Sequence, residues 1–255
     1  DYLLGVVLIN GRAELLTFGG QVMKNVAGYD VSRLMAGAWG TLGLLTEVSL
    51  KVLPVAPAEA TLRFECNQAD ALRKLHAWGG QPLPLNASCW VEDAGVGQLY
   101  VRLRGAVAAV DAACKSMGGT RLDNATAAPD WQACREQTLP WFAARLARPG
   151  QALWRLSLPA TAPVLALPGG VSPLVEWHGA LRWVQAPLAH GDVLREAARA
   201  VGGSASLFIA DGAGGERAGG QFDLKSAALE QIHARLELSF DPAGIFNPGR
   251  MAPQW

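Results

Sequence analysis

The chain has 255 residues, half of them hydrophobic, which is enough to bury the core of one large domain or two moderate ones and excludes a disordered protein. Its 22 basic and 22 acidic residues give a formal net charge of zero. Without a basic excess, neither nucleic acid nor an anionic lipid surface is indicated as a partner.

The four cysteines are spaced at least 20 residues apart, with no C-x-x-C pair and no signal peptide before them. This pattern predicts reduced thiols in a cytoplasmic protein. The chain starts at Asp1 and enters a β-hairpin almost at once, with its turn at Asn10-Gly11. We therefore expect it to be the C-terminal part of a longer protein.

In the region before Pro54, the pattern predicts a hairpin, a short helix that begins after Asp30, and a strand over residues 44–52. Pro54 and Pro57 follow in an extended linker, because each proline restricts its own φ angle and the conformation of its predecessor. We expect a first domain over residues 1–56.

After the linker, the periodicity alternates between two residues and 3.6 residues in the order β-α-β-β-α-β, which is the ferredoxin-like arrangement. Further strands and helices continue to a last helix that Pro242 ends. The pattern predicts a largely antiparallel sheet backed by helices over residues 57–240, and a tail over residues 241–255.

Common catalytic signatures are absent from the sequence. The four histidines have no partner at a spacing that would build a zinc or iron site, and no G-x-S-x-G or G-x-G-x-x-G motif is present in the expected place. We predict no metal site and assign no catalytic residue.

Two segments near opposite ends of the chain stand out. The first contains Gly40-Thr41-Leu42-Gly43-Leu44-Leu45-Thr46-Glu47, where glycines let the backbone approach a flat ligand. The second is Asp241-Pro242-Ala243-Gly244-Ile245-Phe246-Asn247-Pro248-Gly249, a rigid turn with one amide side chain. Together they resemble the motifs of FAD-linked oxidases of the vanillyl-alcohol oxidase type, also called PCMH-type flavoproteins. The segment 22–34 is similar to the FAD-binding subunits of bacterial glycolate oxidase.

The resemblance implies an α+β fold: the C-terminal part of a PCMH-type FAD-binding domain, then a ferredoxin-like α+β cap domain, then a tail that returns to the flavin. It also implies that the chain begins inside the second FAD lobe, without the loop that holds the pyrophosphate. We therefore expect FAD in the full-length protein and none on this chain alone.

The resemblance further implies which residues contact the cofactor. Backbone at Gly40, Gly43 and Leu45 would lie against it, and Asn247 would lie near the isoalloxazine. Lys24, Asn25 and Tyr29 would also be near the flavin. The related D-2-hydroxyacid dehydrogenases usually have a hydroxyl side chain where this chain has Ala27, and a histidine-rich metal motif that is absent here.

The resemblance thus implies an FAD-binding subunit of a complex that oxidises glycolate to glyoxylate. Its partners would be a homologous flavoprotein subunit, in which we expect the oxidation itself, and an iron–sulfur subunit. Any association with a membrane would be peripheral and through the complex. Two alternatives stay open: a self-sufficient FAD-dependent dehydrogenase of 2-hydroxy acids, and a scaffold subunit that has lost FAD.

Overall fold

The computed structural model describes residues 2–20, 30–144, 148–210, 222–223 and 226–251. The chain divides into two compact units, one formed by Asp1–Pro54 with Arg217–Trp255 and the other by Val55–Glu216. The first boundary lies in the predicted proline linker. The second differs from the prediction, because the last helix is part of the first unit.

The first unit contains a three-stranded antiparallel sheet in the order β2-β1-β3, with two helices. Apolar side chains of the central strand, Val6 and Leu8, are buried beside Met35 and Leu42, and Phe240 of the last helix packs against them. The elements are β1 (Leu3–Ile9), β2 (Leu15–Gly19), α1 (Val31–Leu34), β3 (Leu44–Leu50) and α7 (Ala227–Phe240).

The second unit is built on one eight-stranded sheet, in which every observed strand pair is antiparallel. Its first half comprises β4 (Ala58–Glu65), α2 (Gln68–Gly79), β5 (Leu85–Asp93), β6 (Val96–Gly105), α3 (Val107–Met117) and β7 (Thr120–Leu122). Two helices follow, α4 (Asn124–Glu136) and α5 (Pro140–Ala143). The second half comprises β8 (Gln151–Ser157), β9 (Leu174–Glu176), β10 (Leu181–Pro187), α6 (Gly191–Ala200) and β11 (Ser204–Ile209).

The strand order β11-β8-β10-β9-β5-β6-β4-β7 shows the same arrangement twice. In each half the fourth strand neighbours the first, the first neighbours the third, and the third neighbours the second, as in a ferredoxin-like unit. The predicted ferredoxin-like order is confirmed for the first half, and its repetition in the second half was not predicted. The two halves join where β5 pairs with β9, through Cys89–Glu176 and Trp90–Val175.

In the second half, the connection from β8 to β9 contains a short 3-10 turn instead of a long helix. Arg182 on β10 is fully buried beneath this connection and donates hydrogen bonds to the carbonyl oxygens of Ala162 at 2.7 Å and Pro163 at 2.6 Å. Burial lowers the pKa of Arg182 to about 10. The Arg182 guanidinium therefore holds the connection from β8 to β9 in place by hydrogen bonds, at the position where the first half of the unit has helix α2.

Candidate functional site

The two motifs at the ends of the chain meet in the first unit. Asn247 Nδ2 donates a hydrogen bond to the carbonyl oxygen of Gly40 at 2.9 Å, across 207 positions of sequence. A Cβ atom added to Gly40 would lie only 3.0 Å from that nitrogen, and Gly40 has φ +73°. Close approach and backbone conformation therefore both favour glycine at this position.

The turn that carries Asn247 is held by Asp241 at the end of α7. Its buried carboxylate accepts a hydrogen bond from the Phe246 backbone N–H at 2.6 Å, and the Gly11 N–H donates to the Phe240 carbonyl oxygen at 2.9 Å. Asn247 itself has φ +47°, a left-handed conformation that asparagine adopts more readily than most residues. These contacts fix the position of the amide before any ligand binds.

The surface beside this contact combines glycine backbone with exposed apolar side chains. Leu45 is 41% exposed and Trp39 is 47% exposed, with the guanidinium of Arg250 over the Trp39 ring at 5.4 Å. A Cβ added at Gly37 would meet nothing within 4 Å. Open backbone next to apolar side chains is the kind of surface on which a flat ring system can lie, so these residues fit the flavin that the motifs imply.

Gly43 is also constrained by contacts within the protein itself. Its φ is +147°, and an added Cβ would lie 2.7 Å from the carbonyl oxygen of Ile9. The approach of β3 to β1 therefore accounts for this glycine without a cofactor. The other predicted cofactor residues, Lys24, Asn25 and Tyr29, lie outside the described residues.

A cluster of polar side chains in the second unit was not predicted. Glu176 at the end of β9 accepts hydrogen bonds from Cys134 Sγ at 2.8 Å and from Trp183 Nε1 at 2.6 Å. The hydrogen bond with Cys89 and then burial raise the pKa of Cys134 far above that of an ordinary thiol, and Glu176 adds to this effect. Cys134 therefore remains a neutral donor, and its two partners, Cys89 and Glu176, come from other parts of the sequence.

Neither a metal site nor a membrane span is found in the part of the chain that the structure describes. Within these ranges, no group of three or more histidine, cysteine, aspartate or glutamate side chains could hold a metal ion. None of the helices there is both long enough and apolar enough to pass through a bilayer.

Comparison with known proteins identifies relatives along nearly the whole chain. Glycolate oxidase subunit GlcE of Escherichia coli (strain K12) is 44% identical over 251 residues, which are 98% of this chain and 65% of that protein. The chain is similar to GlcE along nearly its whole length. Glycolate oxidase subunit GlcD of Bacillus subtilis (strain 168) is 39% identical over 71 residues, or 28% of this chain and 15% of that protein. No protein-family model matches the chain.

A shorter segment is similar to a dehydrogenase. D-2-hydroxyglutarate dehydrogenase of Xanthomonas citri pv. viticola is 30% identical over 77 residues, which are 30% of this chain and 16% of that protein. The similarity to GlcE and these shorter similarities agree with the family resemblance that the two terminal motifs indicated. The chain spans just under two thirds of the length of the GlcE relative.

Solved structures share the fold at low sequence identity. An alkyldihydroxyacetonephosphate synthase has a TM-score of 0.54 and 14% identity, and the match covers 97% of this chain and 51% of that one. The D396N variant of Physcomitrella patens BBE-like 1 has a TM-score of 0.52 and 14% identity, with coverage of 100% and 66%. The predicted α+β fold class with its antiparallel sheet is confirmed.

Proposed function

We propose that this chain belongs to an FAD-binding subunit of a glycolate dehydrogenase complex, which oxidises glycolate to glyoxylate and passes the electrons through flavin. The 44% identity to GlcE over nearly the whole chain carries the proposal. The local similarity to GlcD supports a second, homologous subunit in the same complex. An iron–sulfur subunit as the further electron carrier and a cytoplasmic location belong to the same proposal.

We assign the FAD contact to the first unit and the role of cap to the second. Gly40, Gly43, Leu45 and Asn247 would hold the cofactor, together with Lys24, Asn25 and Tyr29. When bound, FAD supplies an acceptor for the two electrons that leave the hydroxy acid. The glycine backbone admits the ring, Leu45 excludes water from it, and the Asn247 amide is held in place by Gly40 and the Asp241 turn.

The test compares two asparagines that make the same kind of hydrogen bond in different units. Asn247 Nδ2 donates to the Gly40 carbonyl and Asn124 Nδ2 donates to the Glu59 carbonyl, each at 2.9 Å. Full-length protein with its partner subunits is purified as the native form, N247D and N124D. FAD content and glycolate-dependent dye reduction are then measured on the same samples.

We expect the native complex and N124D to contain FAD and to reduce the dye. N247D should lose at least tenfold in glycolate-dependent turnover, because a carboxylate cannot donate to the carbonyl and places a charge beside the ring. A full-length subunit without flavin would contradict the proposal and favour the scaffold alternative. Turnover by the full-length subunit without partners would favour the self-sufficient dehydrogenase.

A further inference from the structure

The second unit contains a cavity of about 630 Å³ that none of the sequence motifs predicted. Its lining includes residues of β5, β6, β9 and α4 and of the turn after β9, among them Ser88, Arg102, Arg104, Trp131, Glu176 and His178. A cavity of this size can enclose a small organic ligand. The polar groups of the lining indicate which class of ligand the cavity would bind.

Arg102 is a partly buried cation that forms no ion pair among the described residues, although Glu59 lies near enough to favour its charged form. Its Nε donates to Asn86 Oδ1 at 2.7 Å, and its guanidinium lies over the Trp131 ring at 5.1 Å. Neither contact uses the outer N–H groups of the fork, and burial lowers the pKa of Arg102 because it disfavours the cation. Two parallel N–H donors on a rigid, partly desolvated guanidinium match a planar carboxylate.

Two other arginines line the cavity, and each has a carboxylate partner: Arg135 Nη2 lies 2.8 Å from Glu136 Oε1, and Arg104 pairs with Glu59. Arg104 Nε lies 2.9 Å from Glu59 Oε2 in an ion pair. An incoming anion would therefore interact with Arg102, because Arg104 and Arg135 already have carboxylate partners and the Glu176 carboxylate adds a negative charge to the lining. This arrangement favours a ligand with one negative charge over one with two.

Two further side chains, Ser88 and Glu176, could form hydrogen bonds with the part of the ligand outside its carboxylate. Ser88 is 3% exposed and its Oγ accepts the His178 backbone N–H at 2.8 Å, which leaves its own hydroxyl hydrogen for another acceptor. Glu176 is fixed by its two neutral donors, Cys134 and Trp183. Because a carboxylate has about four acceptor positions, Glu176 can still accept a hydrogen bond from a hydroxyl group in the cavity.

We propose that this cavity binds a small monocarboxylate that also carries a hydroxyl group, with Arg102 binding the carboxylate and Glu176 accepting from the hydroxyl. The choice of glycolate as the probe rests on the proposed function. The assignment places a binding site for the acid in this subunit, whereas we expect the oxidation itself in the partner subunit. Arg102 and Glu176 are 74 positions apart, and only the sheet places them on one cavity.

The test measures binding to the purified chain by isothermal titration calorimetry, without flavin and without partner subunits. The probes are glycolate, acetate, which lacks the hydroxyl group, and inorganic phosphate, which can carry two charges. We expect glycolate to bind at least fivefold more tightly than acetate or phosphate. Equal binding of the three probes would overturn the proposal, since it would indicate a general anion site.

The variants are Arg102→Gln and Arg102→Lys, with Arg121→Gln as the control because Arg121 is an exposed arginine paired with Asp111. We expect glycolate binding at least tenfold weaker in R102Q and fivefold weaker in R102K, which keeps the charge but not the fork. R121Q should stay within twofold. Circular dichroism checks that each variant is folded. Native-like binding by folded R102Q, or no binding by the native chain, would overturn the proposal.

This outcome is separable from that of the proposed function, because neither flavin nor turnover enters the measurement. Glycolate binding by the chain, together with a complex that fails to reduce dye, would support the cavity and count against the proposed function. A complex that reduces dye, together with a native chain that does not bind glycolate, would overturn only the proposal about the cavity.

Discussion

At the scale of single residues, the glycines around the contact between Gly40 and Asn247 are needed for different physical reasons. Gly40 is favoured by its positive φ and by the close approach of Asn247, whereas Gly43 is required by the carbonyl oxygen of Ile9. Gly37 also has positive φ, at +90°, but faces open space. Substitutions at Gly37 and Gly43 can therefore be compared to separate the cost of backbone strain from the cost of a steric conflict.

We expect Gly43→Ala to destabilise the first unit more than Gly37→Ala does, by about 1–3 kcal/mol, because only the former adds a steric conflict to the strain of a positive φ. Amide hydrogen exchange at β1 and β3 measures the loss, since these strands pair in the same sheet. Equal effects of the two substitutions would show that β3 can shift away from Ile9 at little cost.

The thiol of Cys134 makes stability depend on pH. Its pKa is raised in the folded state by Cys89, burial and Glu176, so the folded chain retains a proton that the unfolded chain releases. The resulting stability is complete below the ordinary thiol pKa of about 8.5 and is lost as pH rises above it.

We therefore expect the unfolding free energy to decrease above pH 8.5, with Cys134 contributing up to about 1.4 kcal/mol per pH unit. Urea unfolding at pH 7, 8.5 and 10 provides the measurement. Cys134→Ala should flatten the decrease, and Cys114→Ala, which removes a more exposed thiol, should retain most of it. If C134A and the native chain show parallel pH profiles, Cys134 does not retain its proton in the folded state.

At the scale of elements, side-chain hydrogen bonds attach α4 to the sheet, and the one between Trp131 and Thr61 is buried. Trp131 Nε1 donates to Thr61 Oγ1 of β4 at 2.9 Å, and Asp123 caps the helix by accepting from the Thr126 N–H at 3.0 Å. The cap fixes where the helix starts, and the Trp131 contact fixes which face meets the sheet.

A double-mutant cycle tests this attachment. Trp131→Phe and Thr61→Val should each lower the unfolding free energy by about 1–3 kcal/mol, because each leaves a buried polar group without its partner. The double variant should lose less than the sum of the two, with a coupling energy of about 1 kcal/mol. As a control pair, T61V with Trp90→Phe should be additive, since Trp90 Nε1 donates to the Cys66 carbonyl instead. Additivity in the first pair would mean that the hydrogen bond contributes nothing.

At the scale of the whole molecule, the pairing of β5 with β9 joins the two halves of the second unit into one continuous sheet. Only two residue pairs join β5 to β9, and the Ser88 Oγ contact with the His178 N–H supplements them at 2.8 Å. His178 has φ +53°, so this acceptor also holds a strained turn.

Ser88→Ala should lower the unfolding free energy of the second unit by about 1–3 kcal/mol, because the His178 N–H would lose its acceptor. Ser116→Ala is the matched control: the Ser116 hydroxyl donates to the Ala113 carbonyl of its own helix, and its loss should cost no more than about 0.5 kcal/mol. Urea unfolding followed by tryptophan fluorescence compares the two variants. A similar small loss in both would show that β5 and β9 pair as firmly without Ser88.

The sequence by itself determined the element types, the linker at Pro54 and the ferredoxin-like order of the first half. These features depend on local periodicity and on glycine and proline positions, which act within a few residues. The terminal motifs also indicated the family and placed Gly40 and Asn247 in one site, and the structure shows these two residues in contact.

Only the tertiary structure decided the contacts between residues far apart in sequence. The pairing of β9 with β5, the Glu176–Cys134–Trp183 cluster and the cavity around Arg102 each combine residues from several strands and helices. Arg102 and Arg104 alternate along β6 and so share one face, a signal visible in the sequence. Which face meets α4, and which residues complete the cavity, depends on packing across the whole sheet, because strand spacing carries no information about distant partners.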